Sequence, residues 1–279
     1  MMKKQYLHFV ITRFNIPAKY AGRKNPAVTA IDPKTDEAYL DGRMALFEKY
    51  TFPSLAGQTN KEFKWLVLFS DQTPQKYVDR LNQLKKGNEW FCPLYLKDDE
   101  AYDFDHYLAF VIGQYEAENY ITTRIDNDDA MSIKTIERLQ RYCREHHTTD
   151  TLISFRYGYQ YTEHGGVLAK QNIFGNHFIS LVYSSADKTI ISFPHNHVPE
   201  DIKQINIGTP EKPMWIEIIH GTNYANQTFF NIKNMAVSQN ALEEYVCDIP
   251  WGKKDVLRNM VKSIGGTFRC VWQVIKKKS

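Results

Sequence analysis

Apolar residues fall in two rhythms along the first half of the chain. Leu7–Thr12 is a short aromatic and β-branched run closed by Arg13, and it reads as a buried strand. Phe63–Phe69 is almost continuously apolar, as a central parallel strand should be, and ends in the turn Ser70-Asp71-Gln72-Thr73-Pro74. Phe91–Leu96 and Ile121–Ile125 are two further strands. Helical spacing fills the gaps: about Arg43 to Leu55, with Met44, Phe47 and Leu55 on one face, then 75–86, 104–119 and 132–146, where Ser132 offers an N-cap. Strands alternating with helices predict a parallel sheet, and such sheets bind ligands beyond the carboxyl ends of their strands. Thr12–Phe14, Asp71 and Asp126–Asp129 all fall at those ends.

The rhythm changes near residue 150. Phe155, Tyr157, Tyr159 and Tyr161 alternate with Arg156, Gly158 and Gln160, which is strand spacing. They form either a core face or an aromatic stacking face for a ligand. Phe178–Tyr183 and Trp215–His220 are further strands, so this half is expected to be mixed and antiparallel. Residues 17–41 hold Pro17, Gly22, Pro26 and Pro33 among many charges and read as a long loop. Residues 1–250 form the expected main domain, split where the rhythm changes into halves at 1–146 and 147–250. A tail follows at 251–279. In it Val256, Leu257, Met260, Val261, Ile264, Phe268, Val271, Trp272 and Ile275 recur at helical spacing between cations, with a break expected at Gly265-Gly266. Such a helix either lies on a membrane surface or packs on the domain with a solvated basic face.

Charge sharpens that division. Residues 253–278 carry eight lysines and arginines against the single Asp255, so that +7 sits there and the remaining chain carries −4 of the overall +3. A basic tail on an acidic body argues against a nucleic-acid binder, whose folded domain should show the basic face. The four cysteines, Cys92, Cys143, Cys247 and Cys270, are scattered, which fits neither a zinc site nor a disulfide framework and suits a reducing cytoplasm. The apolar run after Lys3 and Lys4 is too short for a signal peptide, and no stretch approaches a membrane span. Aromatic residues make up 14% of the chain, which suits sugar stacking and ordinary cores alike.

The densest chemistry is Ile125-Asp126-Asn127-Asp128-Asp129. Clustered carboxylates repel one another, and a fold that keeps them together usually holds a cation. Oxygen ligands suit Mg²⁺ or Mn²⁺ shared with substrate phosphates. An EF-hand starting at Asp126 fails because Met131 stands where glycine is required. A phosphatase D-x-D-x-T fails at Ala130.

Residues 50–74, with Ser54-Leu55, Gln58-Thr59, Phe63 and Asp71, followed by Asp126-Asn127-Asp128-Asp129, resemble the family-two nucleotide-sugar glycosyltransferases of the GT-A fold. Thr123-Arg124-Ile125-Asp126 and the strand end at Arg13 bring the resemblance closest to a bacterial rhamnosyltransferase group. The resemblance covers residues 6–146 and thins beyond. It implies an α/β fold with a mostly parallel sheet flanked by helices. It also implies that Asp71 accepts from the donor base, that Asp126 lies near ribose and metal, and that Asp128 ligates Mn²⁺ or Mg²⁺. Thr12, Arg13 and Arg124 are the candidates for the nucleotide sugar and its diphosphate, with Arg43 a weaker one. His220, ending an apolar strand, is the candidate further metal ligand, and His195 with His197 is its rival. In Glu200-Asp201, Asp201 is the candidate general base for an acceptor hydroxyl.

The expectation is a metal-dependent glycosyltransferase that moves a sugar, rhamnose among the candidates, from a nucleotide diphosphate to a glycan or lipid-linked acceptor in surface polysaccharide synthesis. It would work in the cytoplasm or on the inner face of a bacterial membrane, without nucleic acid. A non-catalytic sugar- or nucleotide-binding module with the same fold is the alternative, and a Mg²⁺-dependent phosphatase is a third reading.

Overall fold

The computed structural model describes residues 3–16, 32–98, 100, 103–193, 202–221 and 233–276, the last of these as backbone alone from residue 266. Its centre is a seven-stranded sheet in the order β10-β6-β9-β4-β1-β2-β3. The strands are β1 (Lys4–Arg13), β2 (Lys64–Ser70), β3 (Phe91–Leu96), β4 (Ala117–Arg124), β6 (Thr151–Phe155), β9 (Ile179–Tyr183) and β10 (Lys203–Ile207). Only β9 runs antiparallel to its neighbours. A second sheet has the order β5-β11-β7-β8, from β5 (Ala130–Met131), β7 (Tyr157–Thr162), β8 (Val167–Asn172) and β11 (Trp215–Ile219). This is the mostly parallel α/β class expected, with a mixed second half.

Helices cover the first sheet. One face takes α1 (Glu37–Leu46), a wide π turn at Phe47–Thr51 and α2 (Phe52–Ala56). Phe47, Phe52, Trp65, Trp90 and Phe91 meet there ring to ring, with centroids from 5.2 to 6.4 Å apart. Much of the aromatic content is therefore core. The other helices are α3 (Gln75–Lys85), α4 (Phe104–Gly113), α5 (Thr135–Glu145) and α6 (Lys253–Lys276).

Several boundaries differ from expectation. The first helix starts at Glu37, because Asp36 caps it by accepting from Tyr39 N–H. The stretch 104–119 is a helix only to Gly113, after which β4 begins. Ser132 is not the cap of α5; its hydroxyl accepts from Lys134 N–H one turn early and reaches Glu244. Phe155 and the tyrosines do not form one strand. The chain crosses from β6 to β7 at Arg156 and changes sheets; Phe155, Tyr159 and Tyr161 are buried in the core, and Tyr157 is half-buried under Arg156. Finally, α6 runs through Gly265-Gly266 without a break.

Candidate active site

Three strand ends converge because the strand order reverses beside β1. The chain moves from β1 to β2 to β3 on one side, then returns to place β4 on the other. A crevice opens at such a reversal, between the carboxyl ends of β1 and β4. Arg13 ends β1 and Arg124 ends β4. Asn127 bridges the crevice by donating to Phe14 C=O at 3.1 Å. Asp71, next along at the end of β2, is exposed.

The second sheet grows directly out of the acidic segment. Ala130 and Met131 pair antiparallel with Ile216 and Trp215. Carried onward, that register lays the end of β11 along the carboxylates. Ile218 N–H donates to Asp129 Oδ1 at 2.9 Å, and His220 Nε2 lies 2.8 Å from Asp128 Oδ2. Trp215 anchors the strand by donating from its indole to Phe155 C=O at 2.7 Å and stacking on Phe178. Only glycine fits opposite it, since a Cβ at Gly158 would stand 2.0 Å from the Trp215 ring.

Asp128 is the focus. Arg43, in the last turn of α1, donates from Nη1 to the same Oδ2 at 3.0 Å. Burial raises the Asp128 pKa, but Arg43 and the His220 hydrogen bond outweigh it and hold the carboxyl below its ordinary value. Arg43 Nε is buried with no acceptor among the described residues. Asp129 behaves oppositely. Burial, with Asp128 and Asp126 nearby, pushes it up against the hydrogen bond from His177. Burial lowers His177, but Asp129 outweighs it and the ring is raised. Behind His220, Glu163 follows β7, accepting from Tyr50 Oη at 2.5 Å and Lys49 Nζ at 2.9 Å, both from the π turn. Its backbone N–H donates to Ile219 C=O, which fixes the strand end beside His220.

The expected site residues separate accordingly. Asp128 and His220 meet. Asp126 is forked by Arg124, Nε at 3.1 Å and Nη2 at 3.0 Å, so the two form a pair beside Asp128. Thr12 needs correction as a nucleotide contact: it is fully buried and its hydroxyl accepts from the Trp65 indole at 2.9 Å, tying β1 to β2. Asp201, with Glu200, His195 and His197, lies outside the described residues. Sequence reasoning underrated Arg43 and missed His177, Glu163 and Glu217, which accepts from Gln160 at 2.6 Å. Arg43 has no local signal, since its partner is 85 residues away. Glu217 did carry one: a carboxylate inside the apolar run Trp215–Ile219 must be buried and bonded.

Among the described residues, no group of three or more His, Cys, Asp or Glu closes on one point. Asp128 and His220 stand as a pair, with Asp126, forked by Arg124, beside them.

Comparison with known proteins bears on which chemistry this is. No curated protein matches the chain. The crystal structure of S. aureus TarS 1–349 is similar to it at 13% identity and a TM-score of 0.43, over 76% of this chain and 60% of that one. The same protein in complex with UDP-GlcNAc gives 14% identity and a TM-score of 0.36, over 80% and 60%. The chain therefore spans about 60% of the length of those structures. Residues 8–232 match the family described as putative rhamnosyl transferase, so that with most of its length matched the chain belongs to that family of glycosyltransferases.

Proposed function

We propose that the protein is a metal-dependent glycosyltransferase that moves a sugar from a nucleotide diphosphate donor to a hydroxyl of a glycan or lipid-linked acceptor, in surface polysaccharide synthesis. The observation that carries it is the meeting of Asp128, His220 and Arg43 at the strand-order reversal. The family description makes rhamnose the first donor sugar to test.

A divalent cation fits this chemistry. Asp128 Oδ2 and His220 Nε2 are 2.8 Å apart, close to the roughly 3 Å between neighbouring ligands of an octahedral ion bonded at about 2.1 Å. Mg²⁺ and Mn²⁺ commonly take few protein ligands and complete their shell with water and phosphate oxygens. When bound, the ion offsets the charge of the departing diphosphate. Asp128 is held ionised for that role chiefly by the Arg43 guanidinium.

The remaining work falls to the chain. Arg43 brings a donor, Nε, that lacks an acceptor among the described residues, and a phosphate oxygen would satisfy it. Arg13 stands at the end of β1 on the same crevice. Arg124 orients Asp126 toward the ribose side. Asp71 is open to accept from the donor base. Asp201 is assigned the general base that takes the acceptor proton.

A thermal-shift screen of UDP, dTDP and GDP, with and without Mn²⁺, tests this reading, because a ligand of the folded state raises its melting temperature. One nucleotide should shift the protein in a Mn²⁺-dependent way, and Asp128→Asn should remove the shift. No shift with any nucleotide would refute donor binding. A shift indifferent to Mn²⁺ and EDTA would refute the metal.

A further inference from the structure

The C-terminal helix α6 has two faces of different character. Val256, Asn259 and Ser263 are buried against the body. Asn259 fixes that contact, donating to Leu168 and Ala236 carbonyls at 2.9 Å and accepting from Leu168 N–H at 3.0 Å. The opposite side should be polar if water were its only neighbour. Instead Leu257, Val261 and Ile264, at i, i+4 and i+7, are 63, 63 and 42% exposed. Lys253 and Lys254 are exposed beside them, while Arg258 pairs with Asp255, the only acid in the helix, and Lys262 donates to Gly165 C=O at 2.7 Å. The sequence continues the apolar spacing with Phe268, Val271 and Ile275 and adds Trp272, Arg269, Lys276, Lys277 and Lys278.

We propose that this face of α6 docks on an anionic lipid surface, with Leu257, Val261 and Ile264 entering the interface and the flanking cations meeting lipid headgroups. Charge decides between occupants. A second copy laid on the same face would set Lys253 and Lys254 against their own counterparts, and like charges across an interface are costly. Nucleic acid would use the cations and leave the apolar stripe in water. An anionic bilayer satisfies both, since apolar burial and headgroup attraction add for a helix lying in the interface plane. Among the described residues no helix is long and apolar enough to cross a membrane, so α6 would lie on the surface. The docked face holds the body, and with it the Asp128 crevice, to the membrane.

The test is co-sedimentation of the full chain with vesicles of phosphatidylcholine alone or mixed with phosphatidylglycerol. It needs no nucleotide, so it stands or falls apart from sugar transfer. Binding should require phosphatidylglycerol and weaken with salt. Leu257→Asp with Val261→Asp, both at exposed positions, should cut partition at least about tenfold while leaving the melting temperature unchanged. Lys253→Gln and Lys254→Gln should each cut it about fivefold. No binding, equal binding to both lipids, or an unaffected double Asp variant would overturn the proposal. So would a dimer in sedimentation equilibrium that the double Asp variant dissociates, which would assign the face to a second copy.

Discussion

The two sheets contribute to one site in different ways. The seven-stranded sheet delivers residues by local geometry: Arg13, Asp71, Arg124 and Asp126 each end, or directly follow, a parallel strand. The four-stranded sheet delivers by register. His220 reaches Asp128 only because β11 pairs with the two-residue strand that follows the carboxylates. A strand end tolerates small shifts of its neighbours, whereas a register contact is all or nothing, since a one-residue slip turns every side chain to the other face. The strand-end side should thus be robust, and the His220 side should depend on packing away from Asp128.

One substitution tests that dependence at neutral pH. Gly158→Ala drives a Cβ into the Trp215 ring, so β7 and β11 must separate, at a cost of about 3 kcal/mol. Chemical denaturation should show that loss together with reduced transfer. An unaltered midpoint would mean that Trp215 moves freely and that the register is not fixed there. Next, His220→Gln should lower transfer or metal affinity by about 10- to 100-fold with stability nearly kept. Loss of stability without loss of metal dependence would make His220 structural.

The first sheet offers a matching test in His8. It is fully buried, hydrogen-bonded to Thr123 and Gln140, and burial lowers its pKa to about 3 from an ordinary 6.5. Between those values the unfolded chain binds a proton that the folded one does not. Stability should therefore be complete above about pH 6.5 and fall by up to about 1.4 kcal/mol per unit as pH drops toward 3. His8→Gln should flatten that slope, and the same slope in the variant would exclude His8 as its source. The smallest effect belongs to Thr12→Val. It removes one buried acceptor from the Trp65 indole, costing about 1 kcal/mol, and leaves nucleotide affinity untouched. A large drop in affinity would restore Thr12 to the donor site.

This contrast also explains what the sequence discloses. Phe63–Phe69 predicts β2 closely, because a central parallel strand writes its burial into consecutive residues, and Phe91–Leu96 predicts β3 although that strand lies at the sheet edge and is fully buried only at its two ends. Asp71 and Asp126–Asp129 stand out because each follows such a run. His220 is legible for the same reason, at the end of Trp215–Ile219. Arg43 and His177 are not, because each is defined by a partner far along the chain, Asp128 or Asp129, and neither sits at the end of an apolar run. The tyrosines misled because alternate spacing continues across Arg156 while the chain changes sheets there. Gly265-Gly266 misled because two glycines weaken a helix by about 2 kcal/mol without ending it.

Asp128 is proposed as the metal-bearing carboxylate of a sugar-transfer site. The most direct measurement is release of nucleoside diphosphate from a panel of nucleotide sugars, dTDP-rhamnose first, by the native chain and by Asp128→Asn, with Mn²⁺ or with EDTA. The native chain with Mn²⁺ should release one nucleotide, and EDTA or Asp128→Asn should each reduce the rate about 10²- to 10³-fold with the fold intact by circular dichroism. Equal rates for the native chain and a folded Asp128→Asn would contradict the claim.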